Sequence, residues 1–328
     1  MPRFKVYVTR RIPEPGLDIL KKEADVKVWD GELPPPREVL LKEVEDIDGL
    51  VALLTDKIDG ELMDKARRLK VVSNYAVGFD NIDVPEATKR GILVTNTPGV
   101  LTDTTADFAF TLLMAAARRV VEADRHTREG KWKTWVPTGF LGQDIHHATL
   151  GLIGLGRIGY EMARRGSGFS MKLLYYDVVR NEKAEKELGI QYVSLPELLK
   201  QADFVSIHVP LTKETHHLIG RDQLKLMKKT AILINTSRGP IVDLEALYEA
   251  LRDGTITGAG LDVTEPEPIP ADHPILKLNN LTIAPHIASA SVATRTKMAT
   301  MAAENCMAAL KGETPPNLVN PEVMKDRK

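Results

Sequence analysis

The chain has one cysteine, Cys306, in 328 residues. A single thiol excludes an internal disulfide and fits a reducing compartment, so a cytoplasmic location is expected. Cys306 lies in the helical run MATMAAENCMAALKG, where it reads as a buried small residue and not as a reactive thiol. Neither charge sign is in excess: 44 Lys and Arg stand against 45 Asp and Glu, for a net charge of −1. That balance argues against a general nucleic-acid binder. No stretch approaches the ~18 uninterrupted apolar residues of a membrane span. The opening PRFKVYVTRR lacks the apolar core and small-residue cleavage site of a signal peptide and reads as a first strand. The sequence also has no Gly-x-Ser-x-Gly elbow and no His-Glu-x-x-His spacing, so neither a serine nucleophile nor a metal is expected. Chemistry on such a chain would rest on a bound organic cofactor, with the protein supplying orientation and electrostatics.

The most informative stretch present is LGLIGLGRIGYEMARR, residues 150–165. An apolar run leads into Gly154-x-Gly156-x-x-Gly159 and then into helical spacing, the strand, tight turn and helix of a dinucleotide-binding unit. The first glycine permits the turn, the second lets the backbone approach a pyrophosphate, and the third allows close helix–strand packing. The new helix directs N–H groups and its positive dipole end at the phosphates. The next strand, KLLYYD, ends at Asp177, 18 residues after Gly159 and close to the ~20 expected for a ribose-binding acid.

The length suggests about two domains. Residues 1–98 alternate strand-like pieces (FKVYVT, VKVWD, GLVALL, LKVVSNY, ILVTNT) with helical ones, which implies a small parallel sheet with helices on its faces. No phosphate-type glycine loop occurs there. After Pro98-Gly99 a long helix is expected over 106–130, ending at Gly130. The following KWKTWVPTGFLGQDI is irregular and carries Trp132 and Trp135. It suits a packed surface loop or, because aromatics are enriched in interface cores, a contact with a second subunit. From Ala148 a second alternation supplies seven further strands, and a last helix is expected over about 290–311. The fold class is α/β, with two doubly wound parallel sheets.

Ligands of such sheets sit outside the carboxyl ends of the strands. AILINTS ends at Ser237-Arg238-Gly239, and an arginine there can hold a carboxylate with a two-pronged fork. GAGLDV leads into the acidic, proline-punctuated loop Asp262-Val-Thr-Glu265-Pro-Glu267-Pro. Spacing does not choose between Glu265 and Glu267. LTIAP ends at His286, the histidine of eight that best suits a strand end. His208 is its rival, His216 and His217 sit in a polar turn, and His146 and His147 read as loop residues. Histidine can donate a proton near neutral pH, and a nearby carboxylate would favour the imidazolium and orient its ring.

The segments NYAVGFDNIDV, TADFAF, LGLIGLGRIG, HVPLTKETHHLI, INTSRGPIVD, GAGLDVTEPEP and APHIASAS stand in the order of one family. The chain closely resembles the D-isomer specific 2-hydroxyacid dehydrogenases, and within them the glyoxylate/hydroxypyruvate reductase branch. The resemblance implies a Rossmann NAD-binding domain over 99–286 and a smaller flavodoxin-like substrate domain over 1–98 and 287–328. It implies reduction of a small 2-oxoacid such as glyoxylate or hydroxypyruvate to the D-2-hydroxyacid or glycolate. Phosphite or phosphoglycerate oxidation, and an NAD-sensing corepressor-like binding role, are the other readings of the same scaffold.

Carried onto this sequence, the family's catalytic residues match Arg238, Glu267 and His286. The cofactor cradle matches Thr105, Gly154, Leu155, Gly156, Arg157, Ile158, Gly159, Asp177, Pro210, Thr236 and Asp262, with Arg238 and His286. The substrate clamp matches the backbone of Val77 and Gly78, with Leu54 nearby, again joined by Arg238 and His286. Asp177 favours NAD(H), whose ribose hydroxyls it would bind while repelling a 2′-phosphate. Arg180 nearby keeps NADP(H) possible. The resemblance also implies a homodimer joined through the nucleotide domains. The branch's partner-chain tryptophan does not align cleanly onto this sequence, Gly139 and Phe140 falling near its place, so whether a residue between Trp135 and Phe140 takes that part is left open.

Overall fold

The computed structural model describes residues 3–325. The chain runs β1 (Phe4–Val8), α1 (Glu14–Glu23), β2 (Ala24–Val28), α2 (Arg37–Glu43), β3 (Gly49–Ala52), α3 (Gly60–Lys65), β4 (Val71–Asn74), α4 (Val84–Lys89) and β5 (Leu93–Thr95). It continues through α5 (Thr102–Ala117), α6 (Val120–Arg128), β6 (Thr149–Ile153), α7 (Arg157–Gly168), β7 (Lys172–Tyr176), α8 (Glu182–Leu188), β8 (Gln191–Tyr192), α9 (Leu195–Gln201) and β9 (Phe204–Ile207). It closes with α10 (Arg221–Leu226), β10 (Ile232–Asn235), α11 (Leu244–Arg252), β11 (Gly258–Leu261), β12 (Leu281–Ile283) and α12 (Val292–Leu310).

The strands form two parallel sheets, ordered β2-β1-β3-β4-β5 and β12-β11-β10-β9-β6-β7-β8. The first is the flavodoxin-like order. The second is the Rossmann order with one further strand. Every residue of β3, β4, β9, β10 and β11 is buried, as expected of parallel strands covered on both faces. Helix starts are marked by capping side chains. Asp59, Asp83, Asn181, Asp243 and Ser291 each accept an N–H from the first turn, and Ser194 with Glu197 forms a reciprocal capping box.

Two compact units result, one of residues 3–101 and 290–325 among those described, the other of 102–289. In the first, α12 lies against α1 and β3–β5. The Ser73 hydroxyl donates to the Ala302 carbonyl at 2.8 Å, and Asn305 Nδ2 donates to the Asn96 carbonyl at 3.0 Å. Gly16 sets how closely α1 and α12 approach, because a Cβ there would stand 2.6 Å from the Ala299 carbonyl oxygen. Replacing Gly16 by valine is therefore expected to destabilise the fold by about 1–3 kcal/mol, the usual cost of overpacking. A lower denaturant midpoint in equilibrium unfolding would show it. Cys306 is buried in the same core, and burial pushes its thiol up to about 12.

One expectation is corrected. The helix expected over 106–130 is two helices, α5 and α6, broken at Arg118-Arg119, with Arg119 in the left-handed region at φ 53°. The break has a distant cause. The Ala117 carbonyl accepts the N–H of Gln143 at 2.9 Å, and a Cβ on Gly142 would sit 2.2 Å from that same oxygen. The returning chain thus caps α5 from outside the helix. The segment between α6 and β6 is irregular, and Trp132 and Trp135 are 66% and 78% exposed.

Candidate active site

Because the seven strands of the larger sheet are parallel, their C-terminal ends share one edge. Along it, the order β12-β11-β10-β9-β6-β7 sets out His286, then Asp262 and Glu267, then Thr236 and Arg238. His208 and Pro210 follow, then the Gly154–Gly159 turn, then Asp177. From β7 to β12 is five strand steps, or roughly 24 Å at ~4.8 Å per step.

At one end of this edge, three neighbouring strands bring Arg238, Glu267 and His286 together. His286 Nδ1 and Glu267 Oε1 are 2.6 Å apart. Glu267 Oε2 also accepts the Thr264 N–H at 3.4 Å. Burial raises the Glu267 carboxyl, but the hydrogen bond and charge of His286, the Thr264 N–H and the charge of Arg238 outweigh it, leaving the group below its ordinary range. Glu267 is thus an ionised partner at neutral pH. The other acid of the loop, Glu265, turns away and meets His217.

His286 takes a left-handed backbone, φ 54°, and Asp262 holds that turn. The Asp262 carbonyl accepts the His286 N–H at 2.8 Å, and its two carboxylate oxygens accept the N–H groups of Ile287 and Ala288, each at 2.7 Å. Burial drives the Asp262 carboxyl up, against those two donors and the charge of His286. The rival histidine has no such company. His208 Nε2 lies 2.9 Å from the Ser206 hydroxyl, and its dry surroundings pull it down to about 4.

Arg238 is fixed by a buried side chain that sequence reasoning missed. Asn235 Nδ2 donates to the Arg238 carbonyl at 2.9 Å, while Asn235 Oδ1 accepts the Ser237 N–H and hydroxyl at 3.0 and 2.8 Å. Next to Arg238, a Cβ on Gly239 would stand 1.9 Å from the Thr264 carbonyl oxygen. Only glycine lets the arginine turn lie against the acidic loop. That loop has two cis bonds, Glu265–Pro266 and Glu267–Pro268.

The middle of the edge fits a dinucleotide. Gly154 is left-handed at φ 94°, and a Cβ there would press on the His208 backbone at 2.9 Å. A Cβ on Gly159 would lie 2.2 Å from the Gly154 carbonyl oxygen, whereas one on Gly156 would meet nothing within 4 Å. The turn is therefore tight within and open outside. Helix α7 starts at Arg157 with its first-turn N–H groups available to an anion. The Thr236 hydroxyl, at the end of β10, is buried with no hydrogen-bond partner among the described residues, as befits a group waiting for a ligand atom. Thr105, buried in the first turn of α5, belongs to a helix that packs on β10 and β11. At the far end, Asp177 Oδ2 accepts the Leu155 N–H at 2.7 Å, and Arg180 is committed to Glu185 at 2.8 and 2.7 Å.

A family model described as the NAD-binding domain of D-isomer specific 2-hydroxyacid dehydrogenases matches residues 110–288. The chain belongs to this family. It is 61% identical to the glyoxylate reductase of Korarchaeum cryptofilum over 98% of each chain. It is 54% identical to that of Thermococcus kodakarensis over 99% of each. Among solved structures, a protein of Thermus thermophilus superposes with a TM-score of 0.90 at 49% identity, covering 96% of this chain and 99% of that one. An NADPH-dependent glyoxylate/hydroxypyruvate reductase of Sinorhizobium meliloti, solved with NADP and malonate, gives 0.86 at 33% identity and 97% coverage of each.

The smaller unit of this family member carries the other expected residues. Leu54 follows β3, and Val77 and Gly78 follow β4, its neighbour in the sheet. Three asparagines outside the expected set hold these turns. Asn96 Nδ2 donates to the Val77 carbonyl and Asn74 Nδ2 to the Gly78 carbonyl, both at 2.8 Å. Asn81 Nδ2 donates to the Leu53 carbonyl at 3.1 Å. Fixing the carbonyls fixes the peptide planes. For Asn74 and Asn96 the available signal was an amide at or just past the end of a buried strand, whereas Asn81 lies in a turn and gave none.

Proposed function

We propose that this dehydrogenase reduces glyoxylate, hydroxypyruvate or a similarly small 2-oxoacid with a reduced nicotinamide dinucleotide. The pairing of His286 with Glu267 at 2.6 Å, beyond the ends of β12 and β11, with β11 lying next to the strand that leads to Arg238, carries the reading. The names of the related glyoxylate reductases support the substrate class. Arg238 is assigned to the substrate carboxylate and carbonyl, since a guanidinium matches a carboxylate's two oxygens. The peptide N–H groups of Val77 and Gly78, with Leu54 beside them, are assigned to the carboxylate as well. His286, oriented through Nδ1 by Glu267, presents Nε2 to donate a proton to the forming alkoxide and to take it back in the reverse direction. When bound, the dihydronicotinamide supplies the hydride that reaches the keto carbon. Initial rates with glyoxylate, hydroxypyruvate and pyruvate test the reading, and the absence of turnover with all three would overturn it.

NAD(H) is the proposed cofactor, held by residues 154–159, Asp177, Pro210, Thr236, Thr105 and Asp262. Asp177 follows directly on β7, and the nearby guanidinium that could greet a 2′-phosphate, Arg180, is already gripped by Glu185. The kcat/KM with NADH should exceed that with NADPH by about tenfold or more, equivalent to ~1.4 kcal/mol. Asp177→Ser should narrow the gap, and a preference for NADPH in the unaltered enzyme would refute the assignment. We also assign a homodimer formed through the larger unit, where Val120, Val121, Trp132, Trp135, Val136 and Leu141, on α6 and the segment after it, are each exposed. A cytoplasmic setting fits the lone free thiol.

A further inference from the structure

Two histidines that the reaction does not use converge on the acid of the proline loop that it also leaves aside. His217 Nε2 lies 2.9 Å from Glu265 Oε2, and His216 Nε2 lies 3.8 Å from Glu265 Oε1. The imidazoles stack with centroids 4.0 Å apart and planes inclined by 29°. One donor atom from each of the three side chains falls within 4.8 Å of the others.

The backbones beneath them are fixed. The His216 N–H donates to the Thr212 carbonyl at 3.0 Å, and the His217 N–H donates to the Pro240 carbonyl at 2.8 Å. The turn leading to them is knitted by Thr215, whose hydroxyl donates to the Pro210 carbonyl and accepts the Thr212 N–H, both at 2.7 Å. Glu265 follows Thr264, whose carbonyl lies against Gly239. The loops after β9 and β11 thus deliver the three groups to one place, and the loop after β10, which lies between them in the sheet, braces both through the Pro240 carbonyl and Gly239.

We propose that His216, His217 and Glu265 form a binding site for a borderline divalent transition metal, Zn²⁺ or Ni²⁺, separate from Arg238, Glu267 and His286. Two imidazoles and one carboxylate are the donor set these ions favour, and they disfavour Mg²⁺ and Ca²⁺, which take oxygen ligands. At metal–ligand distances of ~2.0–2.2 Å, the donors need only close by side-chain rotation. All three side chains are partly solvent-exposed, so rotation is free and water completes the coordination. The ion would tie the loop after β9 to the loop after β11.

The test uses untagged full-length enzyme stripped with a chelator that is then removed. Calorimetric titration with ZnCl₂ and NiCl₂ should show one saturable site per chain, and MgCl₂ should show none. Co²⁺ should develop visible d–d bands of a four- or five-coordinate centre. Glu265→Gln and the double variant His216→Ala/His217→Ala should weaken binding by more than the ~10–100-fold that outer-sphere partners contribute. Unchanged near-ultraviolet circular dichroism would establish that both variants are folded. No saturable binding at millimolar metal, or binding that both variants retain undiminished, would overturn the proposal.

Discussion

Replacing His286 should lower kcat for 2-oxoacid reduction by about 10²–10⁴-fold, the usual contribution of positioned proton transfer. Two substitutions separate chemistry from backbone effects. His286 occupies the left-handed region, which asparagine tolerates and alanine does not. His286→Asn therefore removes the imidazole while sparing the turn that Asp262 holds through the N–H groups of Ile287 and Ala288. If the two variants lose activity equally, the loss belongs to the missing proton donor. If only the alanine variant is impaired, the residue serves the turn and the assignment fails. Glu267→Gln keeps an oxygen to meet Nδ1 but discards the charge, so its loss should fall between those of the wild type and His286→Asn. Steady-state kcat at saturating cofactor reads all three.

The second large effect is expected at Arg238. Two charged hydrogen bonds to a carboxylate, at ~1.5–3 kcal/mol each, put the loss in Arg238→Ala at about 10²–10⁴-fold in kcat/KM. Arg238→Lys should recover only part of this, because an ammonium offers a point charge in place of a planar fork. The split between constants is informative. A rise in KM alone would confine Arg238 to holding the carboxylate, whereas a parallel fall in kcat would show that it also polarises the carbonyl in the transition state. A variant at wild-type kcat/KM would remove Arg238 from the site. The turn itself should survive, since Asn235 grips the residue through its carbonyl and not its side chain.

The two parallel sheets were legible because the cues were local and repeated. Apolar runs such as GLVALL and AILIN alternate with helical spacing, and each parallel crossover follows from that alternation. The hidden features depend on partners far along the chain. The split between α5 and α6 comes from Gly142 and Gln143 closing on Ala117, and nothing near Arg118 announces it. Glu265 and Glu267 are equivalent by spacing, and their different neighbours, His217 after β9 and His286 after β12, become visible only once the sheet order sets β11 between those strands. Asn74, Asn96 and Asn235 sit at strand ends where composition says little, and their role lies in which carbonyls they reach. Asp262 is similar, since its two amide donors lie beyond β12.

The return of the chain to its first unit has a consequence for biosynthesis. The core over one face of the β1–β5 sheet includes Met298, Ala299, Ala302, Ala303, Cys306 and Met307, all from α12. Those side chains leave the ribosome only after the whole of residues 102–289 has been made. At about 5–20 residues per second, the nascent first sheet waits tens of seconds with that face bare. The contiguous nucleotide-binding unit can close as soon as it emerges. The unit synthesised first is thus the last that can complete its core, and until then that apolar face stays uncovered by the residues that bury it.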